Sequence, residues 1–238
     1  MTRLPKSRRV QENNVSNMID RRKFLTGAGV GSLAVLSLTG CGKDGLIKDA
    51  KAKPHYVMVF DQNKCIGCGL CKRSCSETNH VPTGQLRMTL ERQSPLGVPG
   101  ERKYVRVSCQ QCQDAPCTTV CPTGAAHRDP ATGIVTMDND KCVGCKYCIA
   151  ACPYNVRFIN KETKFAENCD FCLHSRLQKG EDPACVSACR HGALEFGDAN
   201  DPNSYVNKLL KVKDSVRIRP QLGTEPSLHY IPIIKQGV

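Results

Sequence analysis

Sixteen of the seventeen cysteines fall into four sets that obey one spacing rule: two residues between the first and second cysteine, three between the third and fourth. The first set, "CIGCGLCKRSC", is Cys65, Cys68, Cys71 and Cys75; the third, "CVGCKYCIAACP", repeats that spacing with Cys142, Cys145, Cys148 and Cys152. The second, "CQQCQDAPCTTVCP", widens the middle gap to four residues and comprises Cys109, Cys112, Cys117 and Cys121. The fourth, "CDFC" followed by "CVSAC", widens it to twelve and comprises Cys169, Cys172, Cys185 and Cys189. Nothing else in the chain restricts its fold as strongly. Aromatic residues are 5% of the sequence and tryptophan is absent, so the interior is expected to be held by cysteine chemistry rather than by large rings.

The spacing selects the chemistry. A cubane iron–sulfur cluster presents four irons at tetrahedral corners, and each takes one thiolate. Three closely spaced cysteines wrap a loop around three corners, while the fourth, on the helix that follows, points away and in two-cluster ferredoxins ligates the other cluster. Small residues between ligands, as in Ile66-Gly67 and Val143-Gly144, let backbone N–H groups approach the cluster sulfurs. Structural zinc would pair one CxxC with another and leave the third and fourth cysteines of each set without a role. Cysteines two residues apart make poor disulfide bridges, and loop stapling gives no reason for a fourfold repeat. Iron–sulfur ligation is the reading that uses every cysteine of every set.

The net charge of +12 invites a nucleic-acid reading until it is apportioned. Residues 1–41 hold seven basic side chains against two acidic ones, which leaves +7 for residues 42–238. A cubane with its four thiolates carries about −2, so four of them bring the loaded mature chain near neutrality. No nucleic-acid partner is expected.

The opening segment, 1–41, contains "DRRKFLTGAGVGSLAVLSLTGC". Its apolar stretch, Phe24 to Leu38, is diluted with Gly and Thr and is too short for a membrane span, which needs about 20 apolar residues; it suits the core of a signal peptide. "RRKFL" resembles the twin-arginine export signal through Arg21 and Arg22, although Asp20 and Thr26 depart from the commonest pattern. That route carries folded proteins, so a cofactor can be inserted before export. "LTGC" resembles a lipobox with Cys41, the seventeenth cysteine, as the acylated residue. Residues 42–55 read as a polar linker.

Strand composition recurs beside the cysteine sets: "YVMVFD" (56–61) before the first, "LRMTLERQ" (86–93) and "KYVRVSC" (103–109) across a Pro/Gly loop, "GIVTMD" (133–138) before the third and "GALEFGD" (192–198) after the fourth. Strand, cysteine loop and short helix thus repeat, which points to internal duplication. After Cys189, "DPNSYVNKLLKVKD" reads as a short helix and "LGTEPSLHYIPII" as extended chain.

The full array, with the second set stretched by four residues and the fourth by twelve, resembles the four-cluster ferredoxin-like electron-transfer subunit of the dimethyl-sulfoxide-reductase superfamily over about residues 56–198. The exported signal, "QDAPCTTVCPTGA", "DPNSYVNKLL" and "LGTEPSLHYIP" look most like the iron–sulfur subunit of periplasmic nitrite reduction systems. The resemblance implies an α+β chain of duplicated bacterial-type ferredoxin folds with pseudo-two-fold symmetry. One half would comprise 56–100 with 165–198, the other 101–164, and 199–238 would be a C-terminal tail that docks on a partner or on the chain itself. It further implies four 4Fe-4S clusters with crosswise ligands: Cys65, Cys68, Cys71 and Cys189; Cys169, Cys172, Cys185 and Cys75; Cys109, Cys112, Cys117 and Cys152; and Cys142, Cys145, Cys148 and Cys121.

What the resemblance implies for function is a relay with no catalytic site of its own, in anaerobic respiration at the periplasmic face of the membrane. Its electron donor would be an integral quinol-oxidising membrane subunit. Its acceptor would be a terminal reductase, either a multihaem cytochrome or a molybdopterin subunit of tetrathionate, thiosulfate or polysulfide type. The sequence offers no nucleophile–base pair and no phosphate loop. Lys72, Arg73 and Lys146, set between ligands, and His127 and His191 are the residues placed to modulate a neighbouring cluster.

Overall fold

The computed structural model describes residues 53–93 and 103–233. The readings on Arg21, Arg22 and Cys41, most of the 42–55 linker and the Pro/Gly loop of 94–102 lie outside the described residues. Along the chain run β1 (Tyr56–Asp61), α1 (Leu70–Thr78), β2 (Met88–Gln93), β3 (Lys103–Ser108), α2 (Pro116–Thr119), β4 (Ala126–Arg128) and β5 (Val135–Met137). Then follow α3 (Tyr147–Ala150), β6 (Phe158–Ile159), β7 (Ala166–Glu167), α4 (Ala184–Ser187), β8 (Leu194–Asp198), α5 (Tyr205–Val212) and β9 (Leu228–Ile231). Among the described residues no helix is long and apolar enough to cross a membrane.

β1 is the spine because it is apolar on both faces. Val57, Met58, Val59 and Phe60 are each at most 1% exposed, and the period of two sends alternate residues to opposite sides. Met58 and Phe60 face a core shared with Cys71, Cys75, Cys169 and Cys185. Val57 and Val59 pack with Val206 and Ile231, flanked by Leu209 and Leu210. Val206, Leu209 and Leu210 are spaced i, i+3, i+4, so α5 lays one apolar stripe on that face. The helix comes so close to β8 that a Cβ on Gly197 would stand 2.8 Å from Ser204 Oγ and 3.3 Å from Val206 Cγ2. Gly197 is there because nothing larger fits.

β1 is central in a three-stranded sheet. β8 pairs with it antiparallel, Tyr56 opposite Asp198, and β9 pairs parallel, Met58 opposite Leu228. A parallel neighbour requires a long crossover, and the segment containing α5 provides it. The stretch read as a docking tail therefore supplies an edge strand of the central sheet, with Leu228 fully buried and Tyr230 2% exposed.

The remaining strands form three antiparallel pairs: β2 with β3, β4 with β5, and β6 with β7. Each cysteine set follows a strand and most of each set's ligands sit on the loop and short helix after it. The strand before the first set (β1) pairs with the strand after the fourth (β8), and the strand before the third (β5) with the strand after the second (β4). The strands after the first and third sets pair with those before the second and fourth. Division of the chain at 100/101 and at 164/165 runs through the last two of these hairpins. A ladder needs both its strands, so Met88–Gln93 and Lys103–Ser108 belong together, as do Phe158–Ile159 and Ala166–Glu167. The two cysteine-rich cores are laced by hairpins rather than separated at those points. The second core gathers Cys112, Cys117, Val135, Cys148 and Ala166. Thiols take the place that large aromatics hold in other small domains.

Candidate metal centres

Each cysteine loop must expose several donors toward one point, and its backbone does so by one local device. The residue before the second cysteine has positive φ in all four sets: Gly67 (76°), Gln111 (49°), Gly144 (66°) and Phe171 (53°). That left-handed turn folds the CxxC into a cup. Glycine adopts it freely, and at Gly67 it is doubly required, since a Cβ would strike the Tyr104 ring at 2.1 Å. Gln111 and Phe171 carry a conformational cost that burial offsets. Gln111 Nε2 donates to the carbonyls of Val135 (2.9 Å) and Cys169 (2.6 Å), and its Oε1 accepts from the Val135 N–H at 2.6 Å. Phe171 packs edge-on against Phe196, centroids 5.2 Å apart.

Three small voids are lined by four cysteines each. One is bounded by Cys65, Cys68, Cys71 and Cys189, with His191 at its rim. A second is bounded by Cys109, Cys112, Cys117 and Cys152, and a third by Cys121, Cys142, Cys145 and Cys148. The remaining four cysteines gather by hydrogen bonding. Asn79 Nδ2 donates to Cys75 Sγ (3.8 Å) and Cys172 Sγ (3.5 Å), while Arg106 donates to Cys185 Sγ (3.3 Å) and Cys169 Sγ (3.7 Å). All four of these thiols are buried. The fourth cysteine of each set lies with another set's first three, Cys75 from within α1 and Cys121, Cys152 and Cys189 from just beyond α2, α3 and α4, as α1 packs on α4 and α2 on α3.

Small residues close the cups. Backbone N–H groups of Ala126, Ala193 and Ala166 donate to the sulfurs of Cys121 (3.3 Å), Cys189 (3.3 Å) and Cys142 (3.5 Å). Burial pushes the free thiols of Cys109 and Cys169 up to about 12 and those of Cys71 and Cys112 up to about 11. Those four thiols are therefore protonated near neutral pH when no metal is bound, and metal binding must release their protons.

The donor set discriminates between metals. A tetrahedral zinc site brings four donors to within about 2.3 Å of one ion. Among the described residues no three Cys, His, Asp or Glu side chains converge on such a point, and all sixteen described cysteines are free of disulfides. Four thiols around a void suit a body of several atoms. A second sign is Arg157, 5% exposed, whose Nε and Nη2 are buried with no hydrogen-bond partner. It borders the Cys109 void and has Cys117, Cys109, Cys148 and Cys152 as its electrostatic neighbours. Cluster sulfides would supply the acceptors that those N–H groups lack among the described residues. The residues fit 4Fe-4S clusters.

The residues singled out as modulators fare unevenly. Lys72, Arg73 and Lys146 are exposed, and Arg73 directs its charge to Glu77 one turn on, at 4.0 Å. His127 is tied to its own strand through the Ala125 carbonyl at 3.0 Å. The charged groups that do reach the thiols, Arg106 and Arg157, escaped the sequence reading. In "KYVRVS" the valines look like the inward residues, yet Val105 and Val107 are half-buried and Arg106 is 0% exposed.

Comparison with known proteins bears on the same residues. The family described as a 4Fe-4S dicluster domain matches residues 101–199, and the 4Fe-4S binding domain matches residues 58–76. Protein NrfC of Escherichia coli (strain K12) is 48% identical over 215 residues, covering 89% of this chain and 95% of that protein. The B subunit of polysulfide reductase from Wolinella succinogenes is 43% identical over 186 residues, 77% of this chain and 97% of its own length. The thiosulfate reductase electron transfer subunit PhsB of Salmonella typhi is 47% identical over 146 residues, 60% and 76% respectively.

Proposed function

The protein belongs to the 4Fe-4S ferredoxin-like electron-transfer proteins that include Protein NrfC, and on that premise we propose that it relays electrons from a quinol-oxidising membrane protein to a terminal reductase of nitrite or sulfur-oxyanion type. It is a carrier within a reductase system and not the catalytic subunit. When bound, a cubane supplies one-electron redox chemistry, and the thiols gathered in the four groups described above are the ligands we assign, one cluster per group. The duplicated ferredoxin architecture we assign is supported by the strand pairing, in which exchanging the first set with the third and the second with the fourth turns each pairing into its counterpart.

The observation that carries the relay is a gradient of burial. Every cysteine of the Cys169 and Cys109 groups is buried, whereas the Cys65 and Cys142 groups each reach the surface, through Cys68 and Cys145. Apolar side chains surround those two outlets: Ile66 (59% exposed) at the first, Val143 (69%) and Tyr147 (60%) at the second. The inner groups meet at Asn168, whose Nδ2 donates to Cys109 Sγ at 3.8 Å and to the Cys169 carbonyl at 2.9 Å. The order Cys65 group, Cys169 group, Cys109 group, Cys142 group has an entry and an exit, as a wire between two partners requires.

Export through Arg21 and Arg22 and a lipid on Cys41 would set this wire at the periplasmic face of the membrane; the motifs "RRKFL" and "LTGC" support that placement. Palmitate labelling that is lost in Cys41→Ser is the expected result, and labelling that survives refutes it.

Deleting the coding gene tests the whole reading. Loss of quinol-dependent nitrite reduction, restored by the intact gene, is expected. Loss of thiosulfate, tetrathionate or polysulfide reduction instead would favour a molybdopterin partner, the reading that the polysulfide and thiosulfate relatives support. Unchanged respiration on every one of these acceptors contradicts the proposal.

A further inference from the structure

Arg87, Arg106 and Arg157 all carry largely buried guanidinium groups, and they are partnered in two different ways. Arg87 is neutralised in the usual manner: Nε meets Glu167 Oε2 at 3.0 Å and Nη1 meets Asp170 Oδ1 at 3.2 Å. Arg106 and Arg157 have no carboxylate partner among the described residues. Arg106 donates from Nε to Ser108 Oγ at 3.0 Å and turns both Nη groups onto thiols, Cys185 at 3.3 Å and Cys169 at 3.7 Å. Arg157 donates from Nη1 to Met137 Sδ at 3.2 Å and otherwise faces the Cys117 and Cys148 thiols, with no full hydrogen bond at Nε and Nη2.

A guanidinium cannot shed its proton to escape this position, and a buried charge is costly unless an opposite charge compensates it. Neutral thiols do not compensate. The missing partner is a negative body held by these same sulfurs, and a cubane with four thiolates is one.

We infer that Arg106 and Arg157 are built-in positive charges that raise the reduction potentials of the clusters beside them. Arg106 serves the Cys169 group, with the Cys65 group next, since Cys71 also faces it. Arg157 stands between the Cys109 and Cys142 groups, near Cys117 of one and Cys148 of the other. The inference rests on the four-cluster reading above. Its physical basis is that reduction adds a negative charge beside a fixed cation, which low-dielectric surroundings screen weakly. An electron taken from a quinol needs an acceptor that is not too hard to reduce, and both arginines act in that direction. They are positioning residues that touch ligands rather than a substrate.

The test uses the full chain with Arg106→Gln, Arg157→Gln and the corresponding Lys variants, each assayed for iron and acid-labile sulfide and then titrated by EPR at controlled potentials. Arg106→Gln is expected to load fully and, at the wild-type midpoint, to lower the reduced-to-oxidised ratio of its neighbouring cluster about tenfold, equal to 59 mV for one electron. The Cys142-group cluster stays unchanged in that variant; Arg157→Gln moves the other half instead, and each Lys variant recovers most of the shift. Full loading with unshifted titrations, or Lys variants displaced as far as Gln, overturns the inference. Wild-type protein with fewer than four clusters sinks the cluster reading itself, which is a separate failure. If a Gln variant does not load, pulsed EPR of reduced wild-type protein grown on guanidinium-labelled arginine decides the matter: coupling to the label supports the contact, and its absence overturns it.

Discussion

Gln111 and Phe171 hold a backbone conformation that glycine takes at the same place in the sister sets, with φ of 49° and 53°. Non-glycine residues in that region cost about 1–2 kcal/mol, so something must over-determine them. For Gln111 it is three short hydrogen bonds to buried backbone groups, one of them the carbonyl of a cysteine in another set. Gln111→Ala is expected to lower stability by about 1–3 kcal/mol, the cost of leaving buried backbone groups unpaired, and Gln111→Gly should recover about 1 kcal/mol by relieving the turn. Chemical denaturation of the three proteins checks the order; equal stability of Ala and wild type contradicts it. At the same scale, crosswise ligation predicts that Cys71→Ser alters the EPR signal of the Cys65-group cluster and Cys75→Ser that of the Cys169 group, although both lie on α1. The same signal changing in both variants would refute the pairing. The cysteine spacing picked out the sixteen thiols that the fold gathers into four groups. Gln111 and Arg106 were not legible, because one follows no glycine rule and the other reverses the inward–outward alternation of its strand.

Elements with a strong local composition were legible from sequence. β1, β2, β3, β5, β8 and α5 lie where strand composition and helix period put them. β9 was read as extended, but its place could not be, since a parallel pairing of Met58 with Leu228 joins residues far apart in sequence and leaves no local trace. That strand locks the site: the Tyr230 hydroxyl donates to the Arg106 carbonyl at 2.8 Å and accepts from Gln110 Nε2 at 3.3 Å. It also brings a pH dependence. Burial and then Arg217 lower His229 from 6.5 to about 4. The folded chain then binds fewer protons than the unfolded one between those values, so stability is complete above about pH 6.5 and declines as pH falls toward about 4. Denaturation midpoints measured from about pH 7 down to about pH 5 should fall more steeply in the wild type than in His229→Gln; parallel slopes would contradict the assignment. On the other face of the sheet, Gly197→Val should push α5 off β8 and cost about 1–3 kcal/mol, with Gly197→Ala affected less. An unchanged midpoint for the valine variant would show that α5 can move at no cost.

For the whole molecule, the sequence conveyed the organisation and left out its joints. The fourfold repeat was legible as strand, loop and helix, but the halves could not be cut cleanly because β2–β3 and β6–β7 stitch one to the other. A two-core chain so laced can hold redox groups in fixed order, with two of the four cysteine groups buried throughout and the other two reaching the surface at Cys68 and Cys145. The formal charge of +12 has a place in that picture, with Arg106 and Arg157 as the share committed to the interior. The most direct measurement is a joint one, iron and acid-labile sulfide per chain together with EPR of the stepwise-reduced protein. One 4Fe-4S cluster for each of the four cysteine groups is the predicted result; fewer than four clusters, or zinc in place of iron, would contradict the account.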